Sequence, residues 1–417
     1  MDLKRAVITG LGAVTPLGND VATFWKNIQE GRSGAAAITR FDAAKYKTQF
    51  ACEVKGFDAA ARIEGKEFRR MDLFCQYALA AAGEAVENCG VDLETADKER
   101  IGVIWSTGIG GISSFQEDIA GFARGDGTPH FNPLFIVKMI GDMSAGVISI
   151  KYGFQGMNFI TQAACASSTN AIIDAFNYIR LGYADMIVAG GSEAGVTETG
   201  IGGFNAMRAL SVRNDSPATA SRPFDVERDG FVLGEGAGAL IVEELEHAKR
   251  RGATILAEIG GGGLTADAYH ISASHPDGHG AFRGMRNALE DAHLNPSDVD
   301  YINTHATSTP VGDVSEMKAI ERLFASTLDT VSVSASKSMT GHLMGAAGAV
   351  EAIICVMSIQ ANVVPPTINT STLDPQINPK IDFVFKESRE RQIDVAISNT
   401  FGFGGHNAIA VLKRFTK

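Results

Sequence analysis

Hydrophobic residues along the chain fall into short runs that are separated by longer amphipathic stretches. In the first half, the apolar and β-branched runs are "RAVITGLGAV", "RIGVIWSTG", "MNFITQAAC", "DMIVAGGSEA" and "GALIVEEL". Helical periodicity lies between them, as in Met71–Glu87 and Ala166–Leu181. Because short buried strands alternate with helices, the pattern predicts an α/β protein with parallel or mixed sheets.

The same pattern starts again after the charged helical segment "ELEHAKRRGA". The second series of strands is "TILAEIGGGG", "VDYINTHAT", "VSVSASKS", "IDFVFKES", "VAISNTFGFGG" and "NAIAVLKR". In both series one strand runs into a polar or Gly-rich loop, and the next leads directly into a helix. A chain of 417 residues is also longer than one hydrophobic core usually serves. We therefore predict two related halves, residues 1–252 and 253–417.

Composition and charge exclude several classes of protein. The net charge of −11 argues against non-specific nucleic-acid binding, and no basic tail is present. No apolar run approaches the roughly 20 residues that span a bilayer. The N-terminal "MDLKRAVITGLGAV" is interpreted as a first strand and turn, so we expect a cytoplasmic protein. The five cysteines are widely spaced without a CxxC pair, which indicates neither a disulfide framework nor a zinc site.

The stretch "TQAACASSTNA" places Cys165 between a predicted strand and a predicted helix. The unpaired N–H groups and the positive dipole at a helix N-terminus favour a thiolate over a thiol. The neighbouring residues are small and leave room for a substrate. A packing cysteine in a strand-to-helix turn is the alternative, and this stretch alone does not exclude it.

Three more polar stretches follow predicted strands. His305 lies in "NTHATSTPVGD" after "VDYI", where an ordinary solvated loop is the alternative. Lys337 and His342 share "SKSMTGHLMGAAGA", and we expect His342 in the first turn of the following helix. The loop "NTFGFGGHN" carries Phe401 and Phe403 and either gates an apolar cavity or forms a simple β-turn.

One cysteine, two histidines, one lysine and a Gly-rich loop therefore follow the C-terminal ends of predicted strands, where sites of α/β proteins form. The set suits carbon–carbon bond formation through a thioester. The thiolate would take an acyl group, and the imidazoles would hydrogen-bond to a thioester carbonyl as it becomes enolate-like.

With these motifs the chain resembles the β-ketoacyl-acyl-carrier-protein synthases, the elongating condensing enzymes of bacterial fatty-acid synthesis. Within that family it resembles the synthase II type. The motifs are "AACASS", "NTHATSTPVGD", "SKSMTGHLMGAAGAVE" and "NTFGFGGHN". The resemblance implies a thiolase-like fold, in which two duplicated βαβαβ-type halves stack into a five-layered αβαβα core, and a homodimer. It also implies an acyltransferase that condenses an acyl thioester with a malonyl thioester of acyl carrier protein.

Residue roles follow from the resemblance. Cys165 would be the acyl-accepting nucleophile, and the N–H groups of Cys165 and Phe403 would form the oxyanion hole. His305 and His342 would act in decarboxylation, and Lys337 would tune the His305 region. The positions expected to contact the substrate or its phosphopantetheine arm are Ile109, Thr307, Thr309, Phe401, Ser272 and, at the tunnel mouth, His270.

The resemblance also predicts partners and ions. The phosphopantetheine arrives on the carrier protein, so no cofactor of the enzyme and no catalytic metal are expected. Some relatives hold a structural monovalent cation at the positions of Asn303, Glu351, Ser398 and Asn399. The acidic carrier protein would dock on a basic patch of Lys66, Arg69, Arg70 and Arg208. Some relatives carry a second basic pair near the position of "GDGTPHFNP", and this chain has no match for it. Relatives often have two polar residues where this chain has Ser272 and Ala273, so one hydrogen bond to the phosphopantetheine arm is expected to be missing.

Three other functions share part of this pattern. A polyketide ketosynthase shares the same motifs and would differ in the carrier protein and acyl chain that it uses. A non-catalytic chain-length factor lacks the nucleophilic cysteine, so the presence of Cys165 disfavours it. A cysteine hydrolase would need an Asn or Asp to orient its histidine, and no such residue is identified.

Overall fold

The computed structural model describes residues 3–63 and 67–416. The strands in these residues are β1 (Ala6–Val14), β2 (Ala36–Ala37), β3 (Phe50–Ala51), β4 (Ile101–Ser106), β5 (Asn158–Thr161), β6 (Met186–Glu193), β7 (Gly236–Glu244), β8 (Ala257–Ala266), β9 (Tyr301–Asn303), β10 (Ser332–Ser334), β11 (Val363–Val364), β12 (Asp382–Phe383), β13 (Arg389–Glu390), β14 (Val395–Gly402) and β15 (His406–Lys413).

The α-helices in the same residues are α1 (Val21–Gln29), α2 (Ala59–Arg62), α3 (Leu73–Cys89), α4 (Ile112–Arg124), α5 (Phe135–Met139), α6 (Met143–Tyr152), α7 (Ser167–Arg180), α8 (Glu198–Ala206), α9 (Leu245–Arg250), α10 (His279–Asp291), α11 (Pro310–Leu323), α12 (Lys337–Thr340) and α13 (Ala347–Ala361). The predicted helices Met71–Glu87 and Ala166–Leu181 correspond to α3 and α7. The predicted strand "IDFVFKES" is shorter than expected, since only its first residues pair, as β12.

Strand order repeats between the two parts of the chain. The N-terminal strands lie in the order β5-β4-β6-β7-β1, and the C-terminal strands follow as β10-β9-β14-β15-β8, with β12 added at the edge. In each set the first three strands are parallel and the last pairs are antiparallel. Within the described residues, the two sets are hydrogen-bonded to each other where Ala6–Ile8 of β1 pairs with Ala257–Ile259 of β8. This repetition is the internal duplication that the sequence pattern predicts.

Three apolar cores lie between the strands and the helices that pack on them. Alternate residues of each strand point to opposite faces, so Ile187 of β6 joins the central core while Val188 joins an outer one. The central core contains α7 and α13 between the two sets of strands. Helices α3 and α6 cover the N-terminal strands, and α10 and α11 cover the C-terminal strands. The result is the predicted αβαβα arrangement.

Helix α13 is unusually apolar because it lies in the middle of this arrangement. The 18-residue helical stretch Met344–Ala361 is long and apolar enough to cross a membrane by length and composition, but 83% of it is buried inside the protein. Both faces of α13 contact other elements, so it lacks the polar stripe of a surface helix. Its composition is accounted for by packing between two sheets.

We expect Ile353→Ala to lower the free energy of unfolding by about 2–5 kcal/mol, since the truncation leaves a cavity in the central core. Ile353 lies on α13 and is 0% exposed. Urea denaturation monitored by circular dichroism gives the change. The control is Ile150→Ala on α6, where the same side chain is 78% exposed. Equal losses in the two variants would contradict the assignment of the central core.

Candidate active site

Cys165 lies in a 3-10 turn, Ala164–Ala166, that joins the end of β5 to the first residue of α7. The turn begins with Ala164 in the left-handed region, at φ 49°. Cys165 is 4% exposed and lines a cavity of about 440 Å³. The strand–Cys–helix geometry predicted from "TQAACASSTNA" is therefore present, and the sulfur faces a cavity.

The thiol of Cys165 is neutral at rest. Burial raises its pKa to about 12, against the opposing effects of the Lys337 charge and of the backbone N–H groups of Phe403 and Cys165 itself. The expectation of a favoured thiolate is wrong for the resting site, because desolvation outweighs the helix terminus. The N–H groups of Phe403 and Cys165 lie close enough to the sulfur to lower its pKa, so they stand beside the position that the carbonyl oxygen of an acyl-cysteine would take.

His305 and His342 face each other inside the same cavity. Their ring centroids are 5.3 Å apart and the rings are nearly perpendicular, at 88°. Burial and the Lys337 charge both lower the two pKa values well below 6.5, so both imidazoles are neutral near pH 7. Nδ1 of each ring has no hydrogen-bond partner among the described residues. A proton on Nδ1 would therefore be a buried donor without a partner, which favours the tautomer that carries the proton on Nε2.

His342 is not in a helical turn, contrary to expectation. Its backbone N–H donates to the Val232 carbonyl over 2.8 Å, and its carbonyl accepts from the Gly234 N–H over 2.9 Å. These bonds hold residue 342 extended beside residues 232–234. Helix α13 begins only at Ala347, after the 3-10 turn Met344–Ala346.

Lys337 is buried rather than on the surface, at 1% exposure. It begins the short helix α12 after β10 and forms an ion pair with the Glu351 carboxylate on α13. A charge in this environment is stabilised only when it is paired. Lys337 lowers the pKa values of Cys165, His305 and His342, so it acts on all three groups through its field.

Glu316 supports the His305 loop and was missed in the sequence. Its Oε1 accepts from the His305 N–H over 2.9 Å and from Asn399 Nδ2 over 3.1 Å, and its Oε2 accepts from the Ala306 N–H over 2.8 Å. Burial raises the pKa of Glu316 to about 7. Glu316 and Asp313, three residues apart, are both buried on α11. Two acids on the inner face of one helix are the pattern that could have revealed it.

The predicted substrate residues divide into two groups. Those that line the cavity are Thr307, Thr309, Phe401 and Ser272, and Phe403, predicted for the oxyanion hole, lines it too. Those that do not line it are Ile109, which packs in the apolar cluster containing Cys165, and His270, which is exposed. The Nδ1 atom of His270 accepts from the N–H groups of residues 272 and 273 over 3.1 and 3.2 Å, so its ring stabilises that turn.

The Gly-rich loop lies directly against the Cys165 turn. A Cβ on Gly402 would be 2.6 Å from the Ala163 carbonyl oxygen and 3.1 Å from the Cys165 nitrogen, so only glycine allows this approach. The Phe401 ring centroid is 5.5 Å from that of His305. The loop is the turn of the hairpin between β14 and β15, as the β-turn alternative predicts, and its residues Phe401, Gly402 and Phe403 also line one side of the cavity. A gating motion of this loop stays a prediction.

The predicted basic patch is only partly described. Lys66 lies outside the described residues. Arg69 and Arg70 are exposed on the 3-10 helix Glu67–Arg70, where Arg70 pairs with Glu67 over 3.4 Å. Arg208 is exposed and lines the cavity, so a positive charge stands beside the opening.

The predicted cation positions coincide with polar atoms that lack partners. Asn303 Nδ2, Glu351 Oε2, Ser398 Oγ and Asn399 Oδ1 are all buried without a hydrogen bond among the described residues. A carboxylate, a hydroxyl and an amide oxygen are donor types that suit a hard cation, although the side chains of Ser398 and Asn399, as neighbours in β14, leave opposite faces of the strand. Asn303 presents nitrogen and would have to turn its amide over to join them. The described residues contain no group of three or more His, Cys, Asp or Glu that could hold a metal ion.

Two family models match most of the chain. The model of the β-ketoacyl synthase N-terminal domain matches residues 4–248, and that of the C-terminal domain matches residues 256–371. A Staphylococcus aureus protein named 3-oxoacyl-[acyl-carrier-protein] synthase 2 is 48% identical over 413 residues, which are 99% of both chains. The protein of the same name from Synechocystis is 46% identical over 415 residues, covering 100% of this chain and 99% of the relative.

A solved structure agrees with these relatives. A type II polyketide ketosynthase bound to its acyl-carrier protein superimposes with a TM-score of 0.92 at 32% identity, covering 99% of this chain and 100% of that one. The thiolase-like fold and the resemblance to the synthase II type are therefore confirmed, and with them an acyltransferase of fatty-acid elongation. The chain belongs to the β-ketoacyl synthase family.

Proposed function

We propose that the chain performs its condensation with Cys165 as nucleophile and with neutral His305 and His342 as hydrogen-bond donors. The observation that carries this assignment is that all three side chains line one cavity with the Lys337 charge close by. A buried site of neutral donors stabilises a developing oxyanion more strongly than water does.

The first half-reaction transfers the acyl group. Cys165 Sγ attacks the carbonyl carbon of the acyl thioester, and the carbon–sulfur bond to the phosphopantetheine breaks. The thiol proton of Cys165 ends on the departing phosphopantetheine sulfur. The N–H groups of Cys165 and Phe403 donate to the tetrahedral oxyanion during the transfer.

The second half-reaction forms the carbon–carbon bond. The malonyl thioester loses carbon dioxide, and the electron pair of the broken bond forms an enolate whose oxygen accepts from Nε2–H of His305 and His342. The enolate carbon then attacks the acyl-cysteine carbonyl, and the bond to Cys165 Sγ breaks. The released thiolate takes up one proton. Because decarboxylation supplies the carbanion, the step needs no cofactor of the enzyme.

The partner that delivers both thioesters is acyl carrier protein, as the names of the relatives and the complex of the polyketide ketosynthase support. Arg69, Arg70 and Arg208, with Lys66 outside the described residues, are the basic groups proposed to receive it. This local positive charge must overcome the repulsion between an acidic partner and a chain of net charge −11. We place the reaction in the cytoplasm.

A second copy of the chain is proposed to cover an exposed apolar surface. Phe115, Phe122 and Phe131 are 41, 38 and 38% exposed, and their rings stack in a row with Phe135. Ile136 beside them is 57% exposed. Contiguous exposed apolar side chains mark an interaction surface. Sedimentation of the protein and of Ile136→Asp tests this, and a monomeric parent chain would contradict it.

We also propose a structural cation held by oxygens of Glu351, Ser398 and Asn399. It would satisfy buried atoms that otherwise lack partners and would contribute stability without touching the substrate. The measurement is the thermal midpoint in sodium or potassium chloride against the chloride of a cation too large to enter. A midpoint that does not depend on the cation would contradict the site.

Cys165→Ala should abolish elongation and leave decarboxylation of the malonyl thioester, because the donors for the enolate remain. Intact-mass spectrometry after incubation with acyl carrier substrates should show no acylated protein. Cys89→Ala is the control, since Cys89 is another buried free thiol outside the cavity lining. Continued elongation by Cys165→Ala would exclude it as the nucleophile.

His305→Ala and His342→Ala should still become acylated on Cys165 but condense about 10²–10³ times more slowly, which is the usual loss for one oxyanion donor. Gln at either position keeps an N–H and should recover part of the rate. Since both histidine pKa values are lowered well below 6.5, the neutral donors persist as the pH falls, and the acid limb of decarboxylation should lie below pH 6.5. An acid limb above that pH would contradict neutral donors.

Arg69→Glu with Arg70→Glu should raise KM severalfold for carrier-bound substrates and leave small thioester mimics unchanged, because only the protein partner contacts this surface. Lys249→Glu with Arg250→Glu on α9 is the matched double charge reversal at exposed residues elsewhere. Equal effects on carrier-bound and small substrates would show that the change acts on the site rather than on docking.

A further inference from the structure

A buried carboxylate next to the cavity holds two backbone segments together. Glu193 ends β6 and is 0% exposed. Its Oε2 accepts from the N–H groups of Gly108 over 2.7 Å and Gly345 over 3.0 Å. Its Oε1 accepts from Thr107 Oγ1 over 3.1 Å and from the Ile109 N–H over 3.2 Å. Four donors from two segments converge on one side chain.

The internal duplication explains this convergence. Gly345 occupies in the second half the position that Cys165 occupies in the first, as the middle residue of the 3-10 turn before the central helix. Both turns begin with a residue of positive φ, Ala164 at 49° and Met344 at 48°. The N–H of Cys165 lies close to its own sulfur, whereas the N–H of Gly345 points at Glu193. The turn of the second half has no nucleophile of its own, and its N–H group binds the Glu193 carboxylate instead.

The two segments touch backbone to backbone. A Cβ on Gly108 would be 2.7 Å from Glu193 Oε2, and a Cβ on Gly345 would be 2.6 Å from the Thr107 carbonyl carbon. Glycine at both positions makes room for the carboxylate and for the close approach. The contact fixes the backbone that carries Ile109.

Ile109 stands behind the nucleophile. It packs in one apolar cluster with Cys165, Met344 and Phe403, and it is absent from the residues that line the open cavity. An acyl chain that extends past Cys165 into this cluster must displace Ile109. How far Ile109 can move depends on the segment Thr107–Ile109 and on what holds it.

We propose that Glu193 is a positioning residue, which holds the segment Thr107–Ile109 against the Gly345 turn and so limits the length of acyl chain that the site accepts. The proposal rests on the proposed function, because it concerns the acyl group carried by Cys165. Loss of the contact lets the segment withdraw and opens space behind the thiol, to the advantage of long chains.

The test is Glu193→Gln, assayed with short and long acyl chains on carrier protein. The amide has the same size but only one oxygen, so at least one backbone N–H loses its acceptor. The ratio of kcat/KM for long over short chains should rise about fivefold while kcat for the shortest chain is kept. Intact-mass measurement of Cys165 acylation with the same chains should show the same shift.

Thr107→Val is the second variant, since it removes one donor to Oε1 and leaves the carboxylate in place. It should shift the ratio in the same direction by a smaller factor, and it decides the question if Glu193→Gln does not fold. Glu84→Gln is the control. Glu84 is partly buried and accepts from the N–H groups of Ala13 and Val21, each over 2.8 Å, away from the cavity lining.

An unchanged ratio in a folded Glu193→Gln or Thr107→Val enzyme overturns the proposal. An equal rise of the long-over-short kcat/KM ratio in Glu84→Gln overturns it as well, because the effect would then come from a general loss of stability. Failure of the proposed function looks different: the parent enzyme would not condense acyl with malonyl thioesters. The acylation ratio at Cys165 still tests Glu193 in that case.

Discussion

The close approach of two helix beginnings at the centre of the molecule governs the rest of the structure. A Cβ on Gly348 of α13 would be 2.8 Å from the Thr169 nitrogen of α7, and the Ala349 N–H donates to Ser168 Oγ over 2.9 Å. Only small residues permit this contact. It brings the turns before α7 and α13 side by side, so the nucleophile of one half lies beside the histidines and lysine of the other. A site made from both halves follows from this contact.

Desolvation gives the site its electrostatic character. The same burial raises the pKa of Cys165 to about 12 and lowers those of both histidines well below 6.5, so all three are neutral at rest. Lys337, which is buried and paired with Glu351, supplies a fixed positive charge that acts on all three groups. Charge then appears only during the reaction, first on the tetrahedral oxygen and later on the enolate, and the preorganised N–H groups meet it there.

The reacting side chains could be predicted from the sequence more fully than the residues that hold them in place. Strands ending at Cys165, His305, Lys337 and Phe401 could be predicted, because short β-branched runs and Gly-rich loops mark them. The extended position of His342 could not, since it depends on pairing with residues 232–234, more than a hundred residues away. Glu193 and Glu316 were also missed. Most of their donors are backbone N–H groups, which side-chain patterns do not show, and only the spacing of two buried acids on α11 could have pointed to Glu316.

The apolar character of α13 has a consequence for synthesis of the chain. Part of the core that covers this helix comes from β14 and β15, the last two strands in the sequence. When α13 leaves the ribosome, those strands have not yet been made, and a segment hydrophobic enough to enter a lipid bilayer stands exposed. Such surface on an incomplete chain invites aggregation. The newly made chain is therefore most prone to aggregate before β14 and β15 pair with the rest of the sheet.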